Sequence, residues 1–297
     1  MSVHDQNLFV TGAAGHLGRR VVELLLEGGI GKVIAGTRDP AKLADLAAKG
    51  AQVRAADFSD PASLASAFKG VDRLLIISTD SLAPGQRFAQ HKAAVDAAVK
   101  AGVKHVVYTS MLKPEPGCAV TFAPDHYGTE QALERSGLAW TILRNSWYAD
   151  NLFGSLPHAL ASGTWYTSAG EGRTAYIARD DIARVAAAAL SSTSTANARY
   201  DITGAKALTN AEIAKLASEV FGKPVAVVQV DDAQLAAGMA AAGLPAMIIP
   251  MLVSFDVNTR QGGFDVVSDS AEKLSGRPPQ SLRDFLIQHS AAFSAKA

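Results

Sequence analysis

The stretch Asn7-Leu-Phe-Val-Thr-Gly-Ala-Ala-Gly-His-Leu-Gly18 decides the fold of this chain. A short apolar run ends in three glycines spaced three residues apart, and an amphipathic helical pattern follows at once. Glycine lets a tight turn adopt positive φ and lets the backbone approach a ligand closely. The N-terminus of the following helix then offers free N–H groups to a phosphate. The order of strand, glycine turn and helix predicts a dinucleotide-binding fold. The expected phosphate-binding residues are Thr11, Gly12, Gly15, His16, Leu17 and Gly18.

The second informative position is the end of the next predicted strand, Lys32-Val-Ile-Ala-Gly-Thr-Arg38, 20 residues beyond Gly18. In this type of fold an acidic residue there accepts the ribose hydroxyls of NAD, whereas an arginine accommodates the 2′-phosphate of NADP. Here the strand ends in Arg38, and Asp39 comes one position later. A guanidinium also binds phosphate with paired hydrogen bonds. The sequence therefore predicts NADP(H) as the cofactor, against the alternative that Arg38 is only a solvated loop residue.

The composition is that of a globular protein with balanced charge. Its 297 residues, enough for one large domain or two smaller ones, include 28 basic and 28 acidic side chains, so the formal net charge is zero. Nucleic-acid binding needs a basic face, so no nucleic-acid partner is expected. The single cysteine, Cys118, excludes an intrachain disulfide and fits a reducing compartment, which predicts a cytoplasmic location. The histidines lack ligand spacing, and no metal is expected.

The segment Leu235–Phe255 contains no charged residue and is long enough to raise the question of a membrane span. It also contains two prolines, two glycines and many alanines. Proline breaks helices, and alanine and glycine contribute little transfer energy. We therefore predict no membrane span, but two short helices that line an apolar pocket or a subunit interface. No signal peptide is expected, because the first apolar run is the first strand of the sheet.

Strand and helix patterns alternate along the chain, which predicts repeated βαβ units and a parallel, doubly wound α/β sheet. Such a sheet has the strand order 3-2-1-4-5-6 and binds its ligand between strands 1 and 4. Strands are predicted near Leu8–Val10, Val33–Gly36, Gln52–Ala55, Arg73–Ile77, His105–Tyr108, Ala139–Leu143, Arg199–Ile202 and Val225–Val230. Helices are predicted near Leu17–Glu27, Ala41–Ala48, Pro61–Phe68, Gly85–Ala101, Asp125–Ser136, Asp181–Leu190, Asn210–Val220 and Leu282–Ala291.

Two further strand ends are expected to contact the cofactor. Asp57 and Phe58 follow strand 3, where a carboxylate can bind the adenine amino group; the alternative is that Asp57 caps a turn. Ser78 and Thr79 follow strand 4, directly across the switch point from the glycines. Their small hydroxyl groups can reach the ribose and the phosphates.

Several of these motifs together resemble the atypical short-chain dehydrogenases of the NmrA-like type. Within that family the chain is most similar to the bacterial type 2 NAD(P)H:quinone oxidoreductases and next to the triphenylmethane dye reductases. The resemblance extends over nearly the whole chain. It rests on Thr11–Gly18 with Arg38, on Ala101–Ser110, on His126–Glu130, on Thr141–Tyr148 and on Gly276–Phe285.

The resemblance implies a Rossmann-like part and a smaller, mostly helical, substrate-binding part. The NADP-binding part would comprise residues 1–152, completed by about 176–206. The smaller part would comprise 153–175 and 207–297. NADPH would bind in a cleft between the two, with a quinone or similar aromatic acceptor beside the nicotinamide. A homodimer is left open.

The sequence lacks a tyrosine–lysine pair that ordinary short-chain dehydrogenases use in catalysis. Ordinary short-chain dehydrogenases use a tyrosine and a lysine four residues later, and the lysine lowers the tyrosine pKa so that it can exchange a proton with a carbonyl. Here Tyr108, Tyr127 and Tyr148 are followed at that spacing by leucine, glutamine and leucine. The usual alcohol–ketone mechanism is therefore not expected. A quinone needs no strong acid, because hydride transfer gives a hydroquinonate that water can protonate.

His126 is the first candidate for a donor to the developing oxyanion, with Tyr148 as a second catalytic candidate. By resemblance, His126 occupies the position that faces the nicotinamide in related reductases. It opens a helix, whose dipole disfavours its protonation, and a neutral imidazole can still donate one hydrogen bond. The alternative is a histidine that only caps the helix.

The residues after strand 6 are the candidates for the nicotinamide end of the site. By resemblance, Asn145 would bind the nicotinamide amide, and Trp147 and Tyr148 would stack on a planar substrate. The alternative is that these aromatic side chains belong to the core. Arg173, in a glycine-flanked turn, is a further candidate for phosphate.

Two hypotheses follow from the sequence. The first is an NADPH-dependent reductase that transfers a hydride to a quinone or a similar planar aromatic acceptor. The alternative is a non-catalytic NADP(H)-sensing regulator that binds a protein partner.

Overall fold

The computed structural model describes residues 5–83 and 85–294, and the chain forms two compact units. Unit 1 consists of Met1–Ser110, Asp125–Arg144 and Asp180–Tyr200. Unit 2 consists of Met111–Pro124, Asn145–Arg179 and Asp201–Ala297. The predicted parts had placed residues 111–124 and 145–152 with the Rossmann-like sheet, whereas here these segments after strands 5 and 6 pack within unit 2.

The strands are β1 (Asn7–Val10), β2 (Lys32–Thr37), β3 (Gln52–Ala55), β4 (Arg73–Ile76), β5 (His105–Met111), β6 (Ala139–Asn145), β7 (Thr164–Thr167), β8 (Arg173–Thr174), β9 (Ala198–Ile202), β10 (Leu208–Thr209) and β11 (Ala226–Gln229). The helices are α1 (His16–Glu27), α2 (Ala44–Ala48), α3 (Pro61–Ala67), α4 (Gln86–Ala101), α5 (Ala123–Glu134), α6 (Leu156–Ser162), α7 (Arg179–Leu190), α8 (Asn210–Phe221), α9 (Asp232–Ala241), α10 (Ile249–Arg260), α11 (Ser270–Ser275), α12 (Leu282–Gln288) and α13 (Ser290–Ser294). Short 3-10 helices lie at Pro40–Leu43 and Ala149–Gly154.

The central sheet has seven strands in the order β3-β2-β1-β4-β5-β6-β9. The strand β1 pairs in parallel with β2 and with β4, so that Val10 lies beside Ala35 on one side and Leu75 on the other. The pairs β2–β3 and β4–β5 are also parallel. The predicted order of the first six strands is confirmed. The order reverses between β1 and β4, where parallel α/β sheets bind their ligands.

The sheet of unit 1 is held by an apolar core between the strands and the flanking helices. Phe9 of β1 and Phe68 at the end of α3 are both fully buried and meet edge to face, with ring centroids 5.1 Å apart. The helix α1 buries Leu17, Val21 and Leu25 on one stripe, as its periodicity predicts. This packing fixes the N-terminus of α1 at the carboxyl end of β1.

Unit 2 contains two small sheets and two apolar clusters. The strands β7 and β11 pair in parallel, and β8 and β10 pair antiparallel. One cluster is centred on Phe153, Phe285 and Phe293. The other contains Trp147 and Phe255, whose ring centroids lie 3.8 Å apart. Each cluster joins segments distant in sequence, so unit 2 depends on long-range packing.

The apolar segment Leu235–Phe255 lies in unit 2 and forms the two helices predicted for it. These are α9 and α10, separated by a turn that contains Gly243 and Pro245. Among the described residues, none of the helices combines the length and apolar character needed to cross a membrane. The apolar residues instead supply one wall of a pocket, described below.

Candidate functional site

The glycine turn between β1 and α1 leaves its backbone accessible to a ligand. Gly12 has φ of +61°, a conformation that favours glycine, and its carbonyl accepts a hydrogen bond from Gly15 N–H at 2.9 Å. Gly12, Gly15 and His16 are all exposed. Gly15 precedes α1 without any side-chain cap, and the first turn of α1 contains no acidic residue. The first N–H groups of the helix are therefore open to an external anion.

The third glycine, Gly18, has a packing role, and its contact with the cofactor stays a prediction. A Cβ atom at Gly18 would lie 2.4 Å from the Gly12 carbonyl oxygen and 2.7 Å from its carbon. Only a glycine allows α1 to start this close to the turn. A Cβ at Gly15 would lie 3.3 Å from the same oxygen, which is tight but needs only a small shift. The predicted residues Thr11, Gly12, Gly15, His16, Leu17 and Gly18 are thus brought together in one turn.

The ends of β1 and β4 are tied to each other at the switch point. Thr11 N–H donates to the Leu75 carbonyl at 3.0 Å, and its hydroxyl accepts from Ile77 N–H at 2.9 Å. Ser78 N–H donates to the Thr109 hydroxyl at 2.9 Å, and Thr79 N–H donates to a ring nitrogen of His91 at 2.9 Å. The predicted contact residues Ser78 and Thr79 therefore lie in an anchored loop beside the glycine turn.

Arg38 follows the last residue of β2 and is exposed. Across residues 5–83 and 85–294, its guanidinium makes neither a hydrogen bond nor an ion pair. The neighbouring carboxylate of Asp39 is occupied, because it accepts from Ala41 N–H at 3.2 Å and starts the 3-10 helix. The strand tip thus presents a positive charge without a competing acid, which suits a phosphate rather than ribose hydroxyls.

Asp57 caps a turn, which is one of the two roles that the sequence left open for it. Its carboxylate accepts from Ser59 N–H at 2.8 Å, and its own N–H and carbonyl bond the Ser63 hydroxyl. Phe58 packs against the core of unit 1. Asp57 therefore caps a turn here, and its contact with adenine stays a prediction.

His126 is buried in unit 1 among two other rings. Its Nδ1 lies 2.8 Å from the Tyr108 hydroxyl, and its ring centroid lies 6.2 Å from that of His91. Burial, followed by the charges of His91 and Arg87, holds the pKa of His126 well below its usual value. The imidazole is therefore neutral at physiological pH, as expected for a hydrogen-bond donor. Its position at the fourth residue of α5 shows that it does not simply cap that helix.

One turn further along α5, Glu130 forms a buried ion pair. Arg144 of β6 donates to both oxygens of its carboxylate, at 3.0 and 2.6 Å, and the Ser110 hydroxyl donates at 2.6 Å. Arg199 of β9 lies 3.3 Å from the same carboxylate. Sequence reasoning missed this group. It holds α5, and with it His126, against the strands β5, β6 and β9.

The candidates Asn145, which is the last residue of β6, Trp147 and Tyr148 belong to unit 2. Asn145 donates from Nδ2 to the Tyr148 hydroxyl at 3.4 Å, while its Oδ1 is buried and lacks a partner within the described part of the chain. A buried amide oxygen without a partner costs free energy, so this atom suits an amide donor from a ligand. Burial raises the pKa of Tyr148, and the Arg179 guanidinium lies over its ring at 5.7 Å.

The side chains of Trp147 and Arg173 both contact other residues of unit 2. Trp147 is half-buried and packs on Phe255 in the cluster that also contains Phe264. Arg173 donates to Glu212 at 3.0 Å and to the Ala207 carbonyl at 3.3 Å. Glu212 in turn belongs to the capping box that starts α8. The charge of Arg173 is thus already paired, and its contact with phosphate stays a prediction.

An apolar pocket lies on the outer face of α9 and α10, as the composition of residues 235–255 predicted. Its lining residues are Ala119, Ala236, Ile249, Pro250, Val253, Ser254 and Val257. Cys118, next to this pocket in sequence, donates its S–H to Asn258 at 3.3 Å, and burial raises the pKa of its thiol. Cys118 is therefore not activated as a nucleophile. Over the described ranges, no group of three or more His, Cys, Asp or Glu side chains is arranged to hold a metal ion.

Comparison with known proteins points in the same direction as the glycine turn. A family described as NAD(P)H-binding matches residues 12–193. Quinone oxidoreductase 2 of Escherichia coli (strain K12) is 37% identical over 276 residues, which cover 93% of this chain and 96% of that protein. The NAD(P)H azoreductase of Xenophilus azovorans is 32% identical and covers 97% of this chain and 99% of its own.

Two solved structures of reductases are also similar to this chain. The NADPH-dependent quinone oxidoreductase of Escherichia coli, complexed with NADPH, superposes with a TM-score of 0.89 at 36% identity over 95% of this chain and 99% of that one. The triphenylmethane reductase of Citrobacter sp., complexed with NADP(H), gives a TM-score of 0.87 at 32% identity over 94% of this chain and 99% of its own.

Proposed function

The chain belongs to the NAD(P)H-binding family, and on that basis we propose that it is an NADPH-dependent reductase that transfers a hydride to a quinone or a similar planar aromatic acceptor. The observation that carries the proposal is the uncapped glycine turn between β1 and α1, with Arg38 at the neighbouring strand tip making no hydrogen bond or ion pair to any described residue. The relatives reported above act on quinones, azo compounds and triphenylmethane dyes according to their names. The acceptor classes in these names share a conjugated π system.

The residues present suit NADPH. The N–H groups at the start of α1 would hold the pyrophosphate, and Gly12 and Gly15 leave room for it. Arg38 would bind the 2′-phosphate that distinguishes NADPH from NADH. Ser78 and Thr79 would contact the ribose, and the buried Oδ1 of Asn145 would accept from the carboxamide of the nicotinamide. When bound, NADPH supplies the hydride that reduces the acceptor.

The chain's own side chains then have two tasks. They bind the acceptor at reacting distance, about 3–3.5 Å from the hydride donor. They also stabilise the negative charge that develops on its oxygen or equivalent atom, and we assign that task to neutral His126 as a hydrogen-bond donor. A hydroquinonate is a weaker base than the alkoxide formed from a simple ketone, so it can carry the charge through hydride transfer and take its proton from water afterwards. This mechanism needs no tyrosine–lysine pair, and the chain has none at the four-residue spacing at Tyr108, Tyr127 or Tyr148.

Trp147 and Tyr148 are the proposed contacts of the planar acceptor. Replacing Trp147 by alanine should raise the acceptor KM more than it lowers kcat, since stacking strengthens binding in the ground state and in the transition state alike. An unchanged KM for every acceptor would assign Trp147 to the core alone. A homodimeric state and a cytoplasmic location stay predictions from the sequence.

The decisive experiment measures NADPH oxidation with benzoquinone, a naphthoquinone, an azo dye and a cationic triphenylmethane dye side by side. We expect turnover with at least one of them, and poor turnover of simple ketones and secondary alcohols. Tight NADPH binding without oxidation by any acceptor would overturn the proposal and favour the NADP(H)-sensing alternative. Release of a one-electron semiquinone or efficient ketone reduction would contradict the hydride mechanism.

A further inference from the structure

Three aromatic rings from three elements form a buried cluster in unit 1. His91 lies on α4, Tyr108 on β5 and His126 on α5, and all three are at most 3% exposed. Their ring centroids lie 5.5 Å (His91–Tyr108), 6.0 Å (Tyr108–His126) and 6.2 Å (His91–His126) apart. Polar rings in an apolar core need hydrogen-bond partners, and the partners here set the proton positions.

The proton position on His91 follows from its two neighbours. Thr79 N–H donates to His91 Nε2 at 2.9 Å, so Nε2 must carry a lone pair. Burial and the charge of Arg87 lower the pKa of His91 to about 3, so the ring is neutral and its proton is on Nδ1. Nδ1 lies 3.0 Å from the Thr129 hydroxyl, which donates its own hydrogen to the Asp125 carbonyl at 2.7 Å and can therefore accept.

The orientation of the Tyr108 hydroxyl follows from His91. The Tyr108 oxygen lies 3.3 Å from His91 Nδ1, which carries a proton, so Tyr108 does not donate there. Its other partners are the Thr129 hydroxyl, which already accepts from His91 Nδ1, and His126 Nδ1, which lies at 2.8 Å. Burial raises the pKa of Tyr108 far above its usual value, so the phenol keeps its hydrogen. Tyr108 thus donates to His126 Nδ1, and the proton of the neutral His126 ring must be on Nε2.

We propose that His91 and Tyr108 are positioning residues that hold His126 as its Nε2–H tautomer, oriented as a hydrogen-bond donor. The chain of bonds starts at the backbone N–H of Thr79, in the loop that follows β4, and passes through His91 and Tyr108 to His126. The contribution of this chain to catalysis rests on the proposed function, in which His126 donates to the acceptor. The tautomer itself does not depend on that function.

The test is a two-bond ¹H–¹⁵N correlation spectrum of the full-length protein labelled with ¹⁵N-histidine. The ring nitrogens of protonated and unprotonated sites have distinct shifts, and the His126→Gln variant identifies the His126 signals by their loss. We expect the Nε2–H pattern for His126 and the Nδ1–H pattern for His91. An Nδ1–H pattern at His126 would overturn the proposal, whatever the activity.

The Tyr108→Phe variant removes the donor and keeps the ring. We expect a second His126 tautomer to appear in its spectrum. With a quinone acceptor we expect kcat to fall about tenfold, the scale of one lost hydrogen bond, while the acceptor KM and the NADPH Kd stay unchanged. Tyr176→Phe, which removes a buried phenol in unit 2, is the matched control and should change neither spectrum nor kcat.

Two outcomes separate this inference from the proposed function. An unchanged His126 spectrum in Tyr108→Phe would overturn the positioning role. A changed tautomer with unchanged kcat would overturn the catalytic role of His126 and leave the tautomer assignment intact. The wild-type spectrum, assigned with His126→Gln, decides the tautomer, so the proposal remains testable if Tyr108→Phe folds poorly.

Discussion

At the scale of single residues, Arg38 and the glycines have separable roles. Arg38 was identified from the sequence alone, because it ends a predicted strand at the position where dinucleotide-binding folds contact the ribose. The first prediction concerns that side chain. NADPH should bind more tightly than NADH, and Arg38→Ala should remove most of the difference, about 1.5–3 kcal/mol for hydrogen bonds to a charged group. Calorimetric affinities for both cofactors test this.

The matched control is Arg135→Ala, another exposed arginine of unit 1, which should leave the ratio of the two affinities unchanged. Equal affinities of the wild type for NADPH and NADH would contradict the assignment of the 2′-phosphate to Arg38. So would an equal loss of both affinities in the Arg38 variant.

The second prediction separates two glycines that the sequence pattern treats alike. Gly15 has ordinary φ of −84° and an exposed position, whereas a Cβ at Gly18 would meet backbone atoms at 2.4 and 2.7 Å. Gly15→Val should therefore leave a folded protein that has lost NADPH binding. Gly18→Ala should lower the melting temperature even without cofactor, because α1 must move away from the turn. Normal NADPH affinity in Gly15→Val would show that the phosphate turn is misassigned.

Residue-scale reasoning from sequence had a clear limit. It placed Arg38 and the glycine turn correctly, because local φ and strand position determine them. It did not find the His91–Tyr108–His126 chain or the Glu130–Arg144 pair, since these bonds join residues on different elements without any fixed spacing. One pattern in the sequence could have indicated that His91 is buried. Arg87, His91 and Val95 are spaced four residues apart and lie on the buried face of α4.

At the scale of elements, the regular βαβ repeats were predictable and the irregular ones were not. The strands β1 to β6 lie within a few residues of their predicted positions, because buried parallel strands have apolar runs bounded by turns. The strands β7, β8 and β10 were missed, since two to four residues carry no measurable period. The predicted helix Leu282–Ala291 is divided into α12 and α13 near His289.

The third prediction concerns how α5 is held to the sheet. Glu130 is 1% exposed, and its carboxylate is satisfied by Arg144, Ser110 and Arg199. Glu130→Gln should destabilise the fold by about 3–5 kcal/mol, because the Arg144 guanidinium is left buried without its counter-charge. Denaturant unfolding measures this. His126, on the same helix, should lose its hydrogen-bonded geometry in parallel.

The double variant Glu130→Met/Arg144→Met is the control for that prediction. Replacing both partners by apolar groups of similar size should cost less than removing one of them, since no unpaired charge remains in the core. If the single and double variants unfold at the same denaturant concentration, an unpaired Arg144 charge does not destabilise the fold as predicted.

At the scale of the whole molecule, acid should act on the fold through buried neutral histidines. Burial and the charge of Arg73 lower the pKa of His105 to about 4, and burial lowers that of His91 to about 3. Both rings are hydrogen-bonded in the core, His105 to the Thr141 hydroxyl at 2.8 Å. In an unfolded chain these histidines would titrate near 6.5. Their neutral state is thus a property of the packed molecule.

The last prediction follows from the sign of this difference. A histidine with a lowered pKa binds fewer protons folded than unfolded, so its contribution to stability is complete above pH 6.5 and is lost as the pH falls toward 4. The slope is about 1.4 kcal/mol per pH unit for each such histidine. Replacing His105 by glutamine should reduce the slope of the unfolding free energy between pH 6 and 4.5 by about that amount. The exposed His158→Gln is the matched control and should leave the slope unchanged. Carboxylates contribute equally to wild type and variant, so equal slopes in the two proteins would mean that His105 is protonated in the folded state.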